Sequence, residues 1–528
     1  MLKNYFIFLF VIHLVFGFIQ VNAQQNRYWV FFKDKHGSEF TPLTYFDQKA
    51  IERRIKSGIP LYDSSDFPVS KIYIEKIRSF VENVNGQTRW FNATSVTASA
   101  KQIKILAAFH FVDDIQPIIL STEPAGKIFD STLTKNEKEL LEIQTSRMQA
   151  KLFSDKGYTG KGIRIAVFDA GFPSVDKNPV FEHLRKNKQI IKTWDFAKNK
   201  KDVYAHNVHG TMVLSCIAGK VNGKNIGLAP DAEFLLARTE VNAEIFSEEE
   251  NWLQAAEWAD QNGADIINSS LAYTHYRYNT YQMDGHTSLV AKAANMAANK
   301  GMLVINSMGN DGAQDWKILA TPADADSVIS VGAISPYTNF HAAYSSYGPT
   351  SVFKTKPNVV AVGTVIVAAK SKLKKVKGTS FAAPLVTGFA ACAWQSKEFL
   401  TNMQIFNMIE ESGDLYPYYD YAHGYGVPQA SYFINGMDLS DVKQTFEFIK
   451  KENKLIVQVN KEFIGKKFLK TNNYLYYHIK NEEGCIEKYW LIDVYQQKAV
   501  VINLDEINEY KEITVHYKGF TNSYILND

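Results

Sequence analysis

Asp169, His209 and Ser380, in that order along the chain, are residue types that could transfer an acyl group from a peptide, and Asn310 stands between the last two. A serine hydroxyl is a weak nucleophile at neutral pH. It needs an imidazole to take its proton and a buried carboxylate to hold that ring in one tautomer. A side-chain amide can add a donor for the oxyanion that forms. Residues so far apart meet only if the fold brings them together, so the test lies in the element that carries each.

Asp169 follows the apolar run Ile165-Ala166-Val167-Phe168, which reads as a buried parallel strand broken by Ala170-Gly171. The carboxyl end of such a strand is where open α/β sheets place their sites; alone, the residue serves equally as a cap or turn aspartate. His209 opens a run through Met212, Val213, Leu214, Cys216, Ile217 and Ala218 that predicts a buried helix ending near Gly219. His206, three residues earlier, makes a metal pair conceivable, but no third ligand accompanies it. Ser380, after Gly378-Thr379, begins a helix running through Phe381-Ala382-Ala383-Pro384 to Cys392. A serine there is often only an N-cap. Yet its small neighbours admit a substrate carbonyl, and the free N–H groups and helix dipole favour a developing anion. Pro384 is read as tolerated in a first turn, where its missing N–H has no partner to lose. Asn310 follows the strand Met302–Ile305, in a turn with Gly309 and Gly312. Beside glycine it is ordinarily turn chemistry, and it gains meaning from its partners.

Taken jointly and in order, these strings resemble the subtilisin-like serine endopeptidases, the subtilase family. Gly227-Leu228-Ala229-Pro230, Ile266 to Leu271, Thr321-Pro322-Ala323 through Ala333, Tyr344 to Pro349 and Lys356-Pro357-Asn358 match as well, so the resemblance covers residues 143–435. It implies that Ser380 attacks the scissile carbonyl, His209 shuttles the proton, Asp169 orients His209, and Asn310 with the Ser380 N–H binds the oxyanion. It also implies that Ser270, Leu271, Ala272 and Gly309 line the substrate cleft. The chemistry would need no cofactor. Structural calcium is common in the family, but acidic residues are scattered here and no ligand loop stands out, so no site is placed. Ala170 departs from the usual Ser or Thr, Ala272-Tyr273 from two glycines, and Val362 from a proline; the cleft should therefore differ in shape while every catalytic group remains.

Lys3 precedes an apolar stretch from Tyr5 to Ile19, and Val21-Asn22-Ala23 offers small residues for cleavage, so residues 1–23 read as a secretory signal peptide. The stretch is short for a membrane span of about 20 residues, and no stable membrane anchor is expected. A net charge of +3 over 528 residues gives no argument for nucleic acid. Cys216, Cys392 and Cys485 are too few for a disulfide scaffold; the first two fall on buried helices and read as free core thiols.

The expected fold class is α/β: a subtilisin-like parallel sheet with helices on both faces (143–435), after a small α+β propeptide with connector (24–142) and before a β-sandwich (436–528). In the first unit, Tyr28–Phe32, Trp90–Thr97 and Phe111–Ile115 read as strands, a helix carries Ile103 and Leu106, and Ser121 to Glu139 reads as a cleavable connector. The middle alternates helices (Trp252–Gln261, Ser288–Lys300) ended by Gly263 and Gly301 with strands. Six short strands follow Leu439. The reading is a secreted serine endopeptidase, extracellular or periplasmic, made as a zymogen, monomeric, acting on proteins or peptides and inhibited by its own propeptide. The alternative is a non-catalytic secreted or surface binding protein on the same scaffold. A lipase of the α/β-hydrolase type is disfavoured, because Gly-Thr-Ser-Phe-Ala lacks the second elbow glycine and the order of the three groups is wrong.

Overall fold

In a computed structural model the described residues are 26–118, 134–241, 247–274, 277–370, 372–436, 442–464, 473–495, 497–507 and 510–526. The expected leader and residues 121–133 of the expected connector lie outside them.

The first unit is an antiparallel sheet of β1 (Asn26–Phe32), β2 (Asn83–Thr88), β3 (Ala93–Ala98) and β4 (Val112–Ile118), in the order β2-β3-β1-β4. Helices α1 (Gln48–Lys56), α2 (Lys71–Arg78) and α3 (Ala100–Leu106) accompany it. The strand expected over Trp90–Thr97 begins only at Ala93. Residues before it turn the chain, with Asn92 at φ 49° and its side-chain amide donating to Phe32 O and Asp34 O. The polar stretch Asn-Val-Asn-Gly-Gln-Thr carries no strand signal and becomes β2 because β3 supplies its ladder.

The middle region opens on α4 (Lys135–Ser146), where Thr134 and Glu137 close a capping box. The expected connector is thus helical from Lys135 onward. Seven parallel strands follow with their helices: β5 (Arg164–Asp169), β6 (Ile190–Asp195), α5 (His209–Ala218), β7 (Glu233–Arg238), α6 (Ser247–Gln261), β8 (Ile266–Ser269), α7 (Leu289–Asn299), β9 (Leu303–Ser307), β10 (Val328–Ile334), β11 (Val359–Val362) and α8 (Thr379–Ser396). The strand order is β11-β10-β9-β8-β5-β7-β6. Every residue of β5 is buried, as a strand covered on both faces must be. Helices α5 and α8 share one core with residues of β5, β9 and β10, including Val167, Val213, Ile305 and Phe389. Helices α6 and α7 pack on the opposite face with Trp252, Ala256 and Ala294. Trp29, Trp90 and Ala93 of the first unit join that second core. Gly263 and Gly301 hold φ of 71° and 88° just past α6 and α7, the left-handed C′ position that glycine adopts without penalty.

After residue 436 the described residues are mostly strand, with two short 3-10 turns at Lys461–Phe463 and Leu504–Glu506. β12 (Phe446–Lys451), β13 (Lys454–Val459), β14 (Tyr474–Lys480), β15 (Ile486–Asp493), β16 (Ala499–Asn503), β17 (Glu512–Tyr517) and β18 (Phe520–Ile525) form two antiparallel sheets, β12-β13-β16 and β15-β14-β17-β18. Phe446, Leu455, Val457, Leu475, Ile479, Val515 and Tyr517 fill one core between them. The half-exposed edge strand β18 is the element the sequence reading left out.

The chain leaves β5 on one side of the sheet, returns through β7 and crosses to β8 on the other side. The carboxyl end of β5 is therefore a topological switch point, where open α/β sheets form a crevice. That is where Asp169 sits.

Candidate active site

Asp169 is fully buried as the last residue of β5. Its Oδ1 accepts from Ala170 N (2.7 Å) and lies 2.9 Å from His209 Nδ1, and its Oδ2 lies 3.0 Å from the same nitrogen. That pairing fixes the proton on Nδ1 and leaves Nε2 as the basic atom. Burial disfavours a charged ring, but the carboxylate outweighs it and holds the His209 imidazole above its ordinary range. The ring is 27% exposed, so one edge meets the cleft.

The approach of α5 to β5 depends on absent side chains. A Cβ at Gly210 would lie 2.4 Å from Gly171 O and 2.9 Å from Asp169 Cβ; one at Gly171, where φ is 134°, would lie 2.4 Å from Ala205 O. Asn207 Oδ1 accepts from His209 N (3.0 Å) at the start of the helix. The buried Arg238 binds both Asp195 oxygens at 3.0 Å and donates to Ala170 O at 3.3 Å, bracing the peptide after Asp169. His206 stands 3.5 Å from Asp195, away from His209, and among the described residues no group of three His, Cys, Asp or Glu could hold a metal ion.

Ser380 is the second residue of α8, and Phe381 sets its ring 5.4 Å from that of His209. The Ser380 hydroxyl donates to Ser270 O (3.3 Å), and no hydrogen bond joins it to His209 among the described residues. Pro384 lies beyond the first turn of α8, contrary to the sequence reading. Its missing N–H releases the carbonyl four residues back, which is that of Ser380, and Ser270 Oγ donates to that carbonyl at 3.0 Å. Asn268, anchored by Thr387 Oγ1 (2.8 Å), donates to Ser270 Oγ (3.3 Å). The proline and the cleft strand together hold the turn that presents Ser380.

Asn310 follows Gly309, whose φ is 106°. Asn310 Oδ1 accepts from Thr379 N (2.9 Å) and Thr379 Oγ1 (3.1 Å), which leaves its NH₂ group facing outward as a donor. Gly309 O accepts from Thr379 Oγ1 (3.1 Å) and Ser346 N (3.1 Å), so the glycine turn is tied to the start of α8. Ser270 and Leu271 are buried and Ala272 is exposed. Beyond them Tyr273 pairs with Thr321 in an antiparallel bridge (3.0 and 3.2 Å). Thus Ser270 and Gly309 touch the first turn of α8, whereas Leu271 O accepts from Asn306 Nδ2 (3.0 Å).

Residues 160–426 match the subtilase family, and residues 27–130 match the peptidase S8 propeptide domain of Bacteroidota. The chain belongs to the subtilase family. It is 27% identical to the serine protease AprX of Bacillus subtilis (strain 168), over 62% of this chain and 80% of that protein. It is 32% identical to a thermophilic serine proteinase of Bacillus sp. (strain AK1), over 49% of this chain and 58% of that one. Against subtilisin BL of Lederbergia lenta the identity is 29%, over 51% of this chain and 89% of that protein. This subtilase is a serine-type endopeptidase that carries its own propeptide domain. Its family needs no cofactor for catalysis.

Sequence reasoning missed Arg238, and it gave no role of their own to Thr379, Asn268 and Phe381, which stand within the matched strings. Thr379 and Phe381 flank Ser380, and Arg238 closes β7 beside Asp169, so their places at element ends were the available signal.

Proposed function

We propose that this subtilase is a secreted endopeptidase that hydrolyses peptide bonds through Asp169, His209 and Ser380, with Asn310 and the Ser380 N–H as oxyanion donors. The observation that carries the reading is the His209 ring. Asp169 grips it at Nδ1 (2.9 and 3.0 Å), and the residue next to Ser380 packs on it. As Ser380 Oγ bonds to the carbonyl carbon, its proton passes to His209 Nε2. The carbonyl oxygen becomes an anion facing the Asn310 amide and the start of α8. The C–N bond then breaks, His209 returns the proton to the leaving amine, and water repeats the sequence on the acyl-enzyme. The Ser380 hydroxyl must leave Ser270 O for His209 as substrate docks; such hydrogen bonds commonly form fully only in the substrate complex. Ser270, Leu271, Ala272 and Gly309 receive the substrate, and exposed Ala272 is the place for main-chain pairing.

The same reading assigns residues 1–23 to a signal peptide, 24–142 to an inhibitory propeptide with its connector, 143–435 to the catalytic domain and 436–528 to a β-sandwich, in a monomer. No helix among the described residues is long and apolar enough to cross a membrane. A fluorophosphonate probe tests the chemistry. The processed protein should label at Ser380 and Ser380→Ala should not; a folded, propeptide-free protein that fails to label would overturn the assignment.

A further inference from the structure

The edge strand β6 forms the floor of an open groove of about 790 Å³ on the far side of the sheet from β11. That volume falls within the range of small-ligand sites, roughly 300–1,000 Å³. Three aromatic residues line it: Trp194 on β6, Tyr204 on the segment that follows, and Trp258 on α6. All three are only partly buried, so ring surface is open to the groove. Lys188, Lys192 and Lys201 enter from three separate segments, and all are exposed. None of the three pairs with a carboxylate among the described residues. Lys192 Nζ reaches only the neutral Asn262 Oδ1, and nearby Asp195 is taken by Arg238. Arg185 also borders the groove but spends its guanidinium on Val175 O and Asn178 O.

Uncompensated cations beside open aromatic faces describe a particular ligand. Charge-assisted hydrogen bonds from ammonium groups select carboxylates or sulfates. Aromatic faces take a flat apolar surface such as the C–H face of a pyranose ring, while their polar tips stay wet. A peptide adding a strand is disfavoured, because Lys200 already pairs with Asp195 along the outer edge of β6 and Lys201 O accepts from Thr193 Oγ1. A polynucleotide is disfavoured too. It needs cations along a phosphate track, and this chain carries a net charge of only +3.

We propose that this groove binds an acidic oligosaccharide, one bearing uronic carboxylates or sulfates, and so holds the protease on a polyanionic glycan independently of the catalytic cleft. The test titrates the full chain by calorimetry at low salt with an oligogalacturonate, a heparin oligosaccharide, a neutral gluco-oligosaccharide and a single-stranded oligonucleotide of matched charge. At least one of the two acidic sugars should bind saturably and weaken with salt, with the neutral sugar weak or silent. Lys188→Gln/Lys192→Gln/Lys201→Gln should lose affinity by about tenfold or more, and Trp194→Ala should weaken the sugar without altering the salt dependence. Hydrolysis of a short peptide by the triple variant should equal the parent's, showing that the fold and the cleft are intact. The proposal is overturned if neither acidic sugar binds, if the triple variant binds as well as the parent, or if the oligonucleotide binds more tightly than both.

Discussion

In the proposed mechanism His209 takes the Ser380 proton, and its surroundings set the pH at which it can do so. The ring must be neutral at Nε2 to accept from Ser380. Burial alone would lower its pKa, but Asp169 at 2.9 Å raises it above the ordinary imidazole range. Activity should therefore rise with pH along a limb placed above the reference value of about 6.5. Asp169→Asn removes the anion, leaves burial unopposed and should move that limb to lower pH. It should also cut kcat by about 10⁴, the loss seen when a triad aspartate becomes an amide and the tautomer is wrong. A kcat/KM profile on a short peptide measures both; a limb that stays in place after the substitution would mean that Asp169 does not set the base. For Asn310→Ala the expectation is a fall of about 10²–10³ in kcat with KM little changed, and for Ser380→Ala a fall of about 10⁶. These are subtilisin's own values, carried over to the matching positions.

At the scale of elements, the site depends on how closely α5 and α8 approach the strand ends. Gly210 sits where a methyl group would collide with Gly171 O, so Gly210→Ala should push the first turn of α5 off β5 and lengthen the Asp169–His209 contact. The expected result is a loss of at least tenfold in kcat/KM with fluorophosphonate labelling slowed in parallel, while secondary structure by circular dichroism stays near native. Unchanged labelling would show that α5 has slack the backbone contacts deny. These helices and β5 were legible in sequence because each is a continuous apolar run with its special residue at one end. The pairings that brace them were not. Arg238 and Asp195 lie on different strands, and Ser270 just past β8 meets Ser380 on α8, so partners become neighbours only through sheet order. Strand β2 was unreadable for the same reason, since its ladder comes from β3 and not from its own polar sequence. Nor did spacing alone reveal that Pro384 frees the Ser380 carbonyl, since that required the first residue of α8.

Over the whole molecule, buried charge joins the first unit to the catalytic domain beside the apolar packing of Trp29, Trp90 and Ala93. Arg53 reaches Asp260 and Ala264 O, while Arg54 binds Asp260 (2.6 Å) and Asp66 (2.7 Å), and Lys300 meets Asp63 and Asp66 (3.0 and 3.1 Å). On α6, Glu257 accepts from Thr88 Oγ1, Arg89 N and Trp90 N, and Glu250 pairs with Arg27 (3.2 Å). Burial lifts the Glu250 carboxyl to about 7 against the opposing pull of Arg27, and lifts Glu257 despite its three donors. A carboxyl whose pKa is raised in the bound state takes up a proton on binding. The contact is then strongest below the free pKa of about 4.5 and weakens as pH rises toward and through 7. Part of that burial comes from the first unit itself, since β2 packs along α6 and Trp29 and Trp90 join its core. Once the connector is cut, release of the propeptide should accelerate with pH between about 5 and 8, by about tenfold. Glu250→Gln removes the titrating group and should flatten that dependence while leaving peptide hydrolysis by the released enzyme unchanged. Gel filtration of the processed protein across this pH range measures the bound fraction. If the dependence were as steep in Glu250→Gln as in the parent, the control would lie with another group, and Glu257→Gln would be the variant to compare next. If both variants kept the parent's slope, Glu250 and Glu257 would not govern release, and the contacts of Arg53 and Arg54 with Asp260 would be the next to test.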